Sequence, residues 1–378
     1  MNKLWLGVIL CLVTGCRQEF QKVDQTSEGC TTIDIPVAEK FDMNKMVDSL
    51  MLIKLEVTDS SLFGHVNKVR IYKDHIYIHD RRYAKALFIF DKNGRHIKTV
   101  KHQGRGPGEF ISIMDFELCH FQEEIMVMDN FGQKFGFFDL EGNYLREAPS
   151  KIEVMEAVSL PGGMIVHAKH ENSFWKNGKP QSLDKIFYTD ERGEILKTIF
   201  PYDDNANIPF GFGEALVDHP DSSYTYAPRF RDTIYNLTAE GLTPRYALHF
   251  DKSIKVSERI LQKEDEKVIG RILKEGKYCF LGDHQESPFW LFLSLNYYSN
   301  LSSAFYAKKT GKVKTFKAYQ DEMGWNAFIR PLYLTGEYFW TSLTYDELKN
   351  YGLDSLIDKL SLKMEDNPYL IRYRLKEF

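Results

Sequence analysis

The amino-acid sequence predicts an all-β fold: a six-bladed β-propeller closed by strands from both termini, with short helical insertions. Three observations carry that expectation. A hairpin unit recurs along the chain, its turn glycines are regularly spaced, and strand-like segments at the two ends lack a local partner.

The chain opens MNKLWLGVILCLVTGC. Lys3 makes a positive start, and Leu4 to Val13 form an apolar run too short for a comfortable membrane span. Val13-Thr14-Gly15-Cys16 resembles the lipobox of bacterial lipoproteins, in which small residues precede a cysteine that is diacylated and becomes the mature N-terminus. An ordinary secretory signal cleaved near Gly15 is the alternative. Residues 1–15 therefore read as a signal peptide and Cys16 as the lipidation site. Residues 16–46, polar and weakly patterned, read as a flexible tether, and 47–378 as a single propeller domain. Either reading puts the body outside the cytoplasm. The lipid reading anchors it in the cell envelope, at the outer membrane, with its facing left open.

Forty-nine basic and 53 acidic side chains give a net charge of −4, scattered without a basic block. Nucleic acid is thus not an expected partner, and composition gives no support for membrane-surface electrostatics. Beyond Cys11 and Cys16, the cysteines are Cys30, Cys119 and Cys279, an odd and widely spaced set. At most one disulfide is possible, nothing selects the pair, and buried thiols are expected.

Along the body, "DHIYIHDRRYAKALFIFDKNGRHIKTV" from Asp74 reads as three strands around an Asx-Gly turn, a strong hairpin signal. The design returns from Glu123, Lys185, Asp232 and Ser302, with turn glycines at Gly94, Gly142, Gly193, Gly241 and Gly311. Their separations of 48, 51, 48 and 70 residues suit propeller blades, not an α-solenoid. The long gap accommodates a helical-looking insertion from Lys255. Strands at Leu50 to Val57, from Tyr338 and from Asn367, with a short helical stretch at 354–364, supply a sixth blade built from both ends.

The stretches "IYIHD" through "IFDKNGRHIKTVKHQGRGPGEF", "SYTYAPRFRDTIYNL", "FYAKKTGK" and "DNPYLIRYRLKEF" carry a more specific likeness. The chain resembles the six-bladed β-propeller lipoproteins of Gram-negative gut-type bacteria, which are distantly similar to NHL-repeat propellers. The resemblance implies a fold and an envelope location and conveys no catalytic residues.

Several stretches invite a functional reading. "HQGRGPGEF", His102 to Phe110, has the glycines of a phosphate cradle but lacks a G-K-[ST] ending and a helical continuation. It reads as a crossing between blades, with Gly104, Gly106 and Gly108 allowing close backbone approach and Phe110 packing between blades. Arg105 and Glu109 on a ligand-facing rim are the functional alternative. His79, Asp80, Asp129 and His167 end strands taken to lie near the axis and could together hold a divalent cation. The competing role for the aspartates is turn formation, and blades four to six offer no obvious matching His or Asp. Asp203, Asn205, Asn207 and Glu214 occupy calcium-loop positions, but Ile208 stands where glycine is needed, so a plain polar connection is expected. Aromatic residues make up 14% of the chain, and Trp175, Tyr298 and Trp325 are candidates for stacking on sugar faces.

The function expected on these grounds is binding or scaffolding of a protein or glycan ligand by a lipid-anchored propeller, with no intrinsic reaction and no cofactor. A metal-assisted hydrolase or lyase at the axis is the alternative. Charged groups converging on the channel would favour the enzyme, and an apolar patch on one face would favour the binder.

Overall fold

The computed structural model describes residues 29–101, 104–152, 154–168, 184–201, 214–219, 223–228, 231–251, 278–297, 300–317 and 327–378, with two small hairpins at 175–180 and 320–325 described at their strand residues alone. Six sheets, each with four antiparallel strands and two of them with a fifth strand added, form the blades of the expected propeller. From axis to rim, blade 1 is Lys68–Tyr72, His75–Asp80, Ala86–Asp91 and His96–Val100. Blade 2 is Asp115–Cys119, Glu124–Asp129, Lys134–Asp139 and Tyr144–Pro149. Blade 3 is Val154–Leu160, Gly163–Ala168, Asp184–Asp190 and Ile195–Pro201. Blade 4 is Leu216–Asp218, Tyr224–Tyr226, Thr233–Leu237 and Leu242–Phe250. Blade 5 is Cys279–Glu286, Trp290–Tyr297, Asn300–Ala307 and Lys312–Lys317.

Both ends of the chain build blade 6. Tyr333–Thr335, Tyr338–Leu343 and Tyr369–Leu375 are its inner strands, and Val47–Ile53 pairs antiparallel on the outside. From Thr31 onward the segment before it is not the flexible tether expected over 16–46. Thr31–Ile35 adds a fifth strand parallel to Leu242–Phe250 in blade 4, and Glu39–Lys40 does the same on Lys312–Lys317 in blade 5. The reason is a two-residue apolar alternation: Ile33 and Ile35 are buried while Thr31, Thr32 and Asp34 face out. These strands cover two blade edges that would otherwise be open.

The turn glycines do two jobs. In blades 1 to 3 the turn is Asp-x-x-Gly: Asp91, Asp139 and Asp190 each accept backbone N–H bonds from residues two and four positions on. Gly193 has φ +74°, and a Cβ there would lie 2.1 Å from the Pro149 carbonyl oxygen of blade 2. Gly94 lies as close to the Lys54 carbonyl that leaves blade 6. Each turn thus tucks against the outer edge of the preceding blade, which a side chain would prevent.

Six apolar clusters fill the six gaps between neighbouring blades. Phe110, Phe116 and Phe138 sit with Leu87 and Ile89 between blades 1 and 2. Phe63, Phe88 and Trp340 lie between blades 6 and 1, and Phe292, Phe305 and Phe339 between 5 and 6. The remaining clusters join blades 2 and 3, 3 and 4, and 4 and 5. The short helix expected near 354–364 is Asp354–Leu360, preceded by Tyr345–Asn350, whose Thr344 and Glu347 form a reciprocal capping box. Leu348 and Ile357 anchor the two helices in the cluster between blades 5 and 6. The helical-looking insertion from Lys255 lies outside the described residues. Cys119 is buried and Cys30 is half-exposed, and both are free thiols, so the expectation of burial fails for Cys30. The Cys279 side chain lies outside the described residues.

Candidate binding face

In an antiparallel four-stranded blade, the second-to-third strand turn and the crossing to the next blade share one face of the ring. Hydrogen bonds bear this out. Asp80 ends the second strand of blade 1 and accepts from Gly64 and His65 on the incoming crossing, and from Arg82, Tyr83 and Ala84 in its own turn. Asp129 does the same in blade 2, accepting from Ile111 and Ser112 on the crossing and from Gly132 in the turn. Burial opposes ionisation of Asp80, yet these N–H donors hold its carboxyl below the usual range.

These residues were expected beside the axis. His79, Asp80 and Asp129 instead belong to second strands, one strand out from it. His79 is buried, its Nε2 is 3.2 Å from the Ile113 carbonyl oxygen, and burial lowers its pKa to about 3. His167 lies in the second strand of blade 3, and its side chain is outside the described residues. No group of three or more His, Cys, Asp or Glu among the described residues is arranged to hold a metal ion.

The crossing "GRGPGEF" behaves as a blade connection. Glu109 accepts from the Gly106 N–H, a Cβ on Gly104 would collide with the Glu109 carboxylate, and Gly108 has φ +73° against the Tyr144 ring. Phe110 is buried, 5.7 Å from the Phe138 ring centroid, over Gly136, where a Cβ would have no room. Arg105 is exposed. Trp175 and Trp325 fall in two-residue strands whose side chains, like Tyr298 as a whole, lie outside the described residues, as does Cys16. Of the calcium-loop positions, Glu214 alone is described, and it is committed elsewhere.

That commitment is at the axis. The innermost strand of blade 1 projects Lys68 and Arg70 inward, and that of blade 2 projects Asp115 and Glu117. Arg70 makes a two-pronged bond to Glu117, 2.7 Å on each arm, and reaches Glu214 of blade 4 at 2.6 Å. Lys68 Nζ lies 3.0, 2.8 and 3.7 Å from Asp115, Glu117 and Glu214. The Arg70 guanidinium also rests 4.9 Å from the ring centroid of Tyr333 in blade 6. Glu156 of blade 3 accepts the Ala215 and Leu216 N–H groups, and Asp283 of blade 5 accepts that of Glu214. Every blade therefore contributes to one hub. Burial pushes the Asp115 and Glu214 carboxyls up, and Asp283 to about 6, while Arg70 and Lys68 overcome burial to hold Glu117 well below its usual range.

Sequence reasoning missed this hub. Blades 4 and 5, expected to offer no obvious matching His or Asp, supply Asp283 and, from the segment read as a polar connection, Glu214. Lys-Val-Arg-Ile-Tyr at 68–72 alternates as a strand does, but its polar face meets other blades instead of water.

Outside the hub, four of the fifteen exposed large apolar side chains among the described residues lie on the crossing face of blades 1 and 2. Leu62, Tyr83, Ile111 and Phe131 are 58, 61, 36 and 72% exposed. Leu62 and Ile111 lie on crossings, and Tyr83 and Phe131 in the matching turns of blades 1 and 2. An isolated apolar residue on a surface needs no explanation, but a group on one face does.

Residues 30–374 match the family described as a domain of unknown function, DUF4934, and the chain belongs to it. An exported protein of Bacteroides fragilis, so described, is similar in fold at a TM-score of 0.73 and 18% identity, covering 92% of this chain and 100% of its own. A DUF4221 member from Bacteroides vulgatus aligns at a TM-score of 0.52 and 12% identity over 89% of this chain and 99% of its own. No curated protein sequence is significantly similar to the chain.

Proposed function

We propose that this DUF4934 propeller is an envelope binding module, exported and held by a lipid on Cys16, that recognises its ligand on a face of the ring without transforming it. The observation that carries the reading is the hub. The inward-facing charges of blades 1, 2 and 4, where a propeller would hold a reacting substrate, are engaged with one another at hydrogen-bond distance, and Glu156 of blade 3 and Asp283 of blade 5 are committed to backbone N–H groups of the segment that leads into blade 4. Closing the axis in this way leaves loops on two faces to meet a partner. The fold similarity to an exported Bacteroides protein and the signal-like N-terminus support the envelope location.

The test combines a glycan array and a displayed peptide library on the purified chain with metal analysis of the same sample. A saturable ligand supports the reading, and a stoichiometric divalent ion accompanied by turnover overturns it. Cys16→Ser should move the protein from the membrane to the soluble fraction, and unchanged fractionation removes the lipid anchor. A second reading, an axial hydrolase or lyase assisted by a divalent cation, draws on the raised carboxyls of Asp115, Glu214 and Asp283. It requires Asp283→Asn to abolish turnover and to remove a limb near pH 6 from the rate profile.

A further inference from the structure

We propose that the crossing face over blades 1 and 2 is the recognition surface, and that it takes a polypeptide segment in which apolar side chains neighbour carboxylates. This rests on the binding-module reading above. Three acids of this region point inward, while Asp59 ahead of Leu62 is exposed. Asp80 is turned onto five backbone N–H groups, Asp129 onto three and Glu109 onto one. Arg81, Arg82 and Arg105 are exposed, and none has a carboxylate partner among the described residues. The outward charge of this face, Arg81, Arg82 and Arg105 against the exposed Asp59, is therefore net positive although the whole chain is acidic.

The arginines stand among the apolar group. Arg82 lies 5.3 Å from the Tyr83 ring centroid, and Tyr83 packs over Gly64, two residues from Leu62. Ile111 hangs from the same Asp129 that holds the turn carrying Phe131. Arginine beside exposed aromatic rings is the composition of binding hot spots. Aliphatic Leu62 and Ile111 suit apolar side chains better than sugar faces, and guanidinium groups pair with carboxylates in two-pronged geometry. The aspartate clamps fix both loops before any partner arrives, which lowers the entropic cost of binding.

The N-terminal strand lies elsewhere on the ring. Thr31–Ile35 runs parallel to the outer strand of blade 4, with Ile35 opposite Phe250 at the crossing end. Thr31, at the other end of this strand, therefore stands beside blade 4, across the ring from blade 1.

The test selects from a displayed library of random dodecapeptides on the full chain carrying Cys16→Ser. The expected binders join Phe, Leu or Ile to Asp or Glu, and their affinity falls with added salt. Phe131→Ser combined with Arg82→Glu should weaken them at least about tenfold, while Phe121→Ser on the opposite face leaves them unchanged. All these side chains are exposed, and a circular-dichroism melt confirms that each variant folds. Peptides insensitive to the double variant but lost with Phe121→Ser overturn this surface and leave the binding-module reading standing. Sedimentation with phosphatidylglycerol vesicles, or retention on acidic glycans, that depends on Phe131 and Arg82 overturns the polypeptide assignment. Absence of any ligand together with turnover at the axis overturns both.

Discussion

Lys68 is an internal counter-ion. Its ammonium lies among three carboxylates, the position a small cation would take if the lysine were shorter. Removing one member of a buried, hydrogen-bonded charge group costs more than the group contributes net, because the others stay desolvated. Lys68→Met should therefore lower stability by about 3–5 kcal/mol in denaturant unfolding at neutral pH. The sign of the pH response identifies the cause. Without Lys68 the already raised carboxyls of Asp115 and Glu214 rise further and that of Glu117 is held down by Arg70 alone, the folded state binds protons the unfolded state does not, and the variant should regain stability as pH falls from 7 toward 5. A uniform loss at all pH values would show a packing defect instead. Glycines make a simpler contrast. Gly311 has φ +70° with nothing near its would-be Cβ, so Gly311→Ala should cost about 1 kcal/mol of left-handed strain alone. Gly193→Ala adds a collision with Pro149 of the preceding blade and should cost at least about 1–2 kcal/mol more in the same unfolding assay.

Single elements show what the sequence made legible. The Asp-x-x-Gly hairpins could be found because their chemistry is local: an aspartate, its own backbone and a glycine with positive φ. The "GRGPGEF" crossing could be found because glycine, proline and a buried aromatic describe a chain passing tightly over a neighbour. Its relation to Leu62-Phe63-Gly64 could not, although Phe63 and Phe110 fill equivalent gaps and each is followed by N–H groups held by the second-strand aspartate. That device joins residues sixteen to eighteen positions apart, and a pattern search sees only an aspartate after an apolar run. The N-terminal strands escaped notice for a similar reason. Thr31–Ile35 has two buried side chains and pairs with a strand more than two hundred residues away. The crossing clamp predicts that Asp129→Ala, which leaves three N–H groups without their carboxylate, costs about 2–3 kcal/mol. Hydrogen exchange should accelerate first at Ile111 and Gly132, and equal acceleration across blade 2 would contradict a local clamp.

At the scale of the ring, stability is distributed over six equivalent apolar gaps and one polar hub, so weakening any junction threatens closure. The buried titrating groups then decide how the ring responds to acid. His79 in blade 1 and His284 in blade 5 are held neutral, their pKa values lowered by burial to about 3 and about 4. The unfolded chain binds those protons near pH 6.5, so both histidines make stability fall as pH drops below that value. Asp283 acts in the opposite sense. Burial raises it to about 6, the folded state takes its proton first, and acidification between 6 and its unfolded value of 3.8 stabilises the ring. Of these three groups alone, two histidines against one aspartate leave a net loss of stability on acidification between pH 7 and pH 4, with the raised carboxyls of Asp115 and Glu214 opposing it and the depressed ones of Glu117 and Glu286 adding to it. Thermal melts across that range should show the midpoint falling with acid. His284→Gln, which keeps a side-chain amide near Thr225 without a titrating group, should flatten the fall. Asp283→Asn, which removes the compensating proton uptake, should steepen it. If the two substitutions shift the acid limb in the same direction, the neutral histidines are not what makes the ring acid-sensitive.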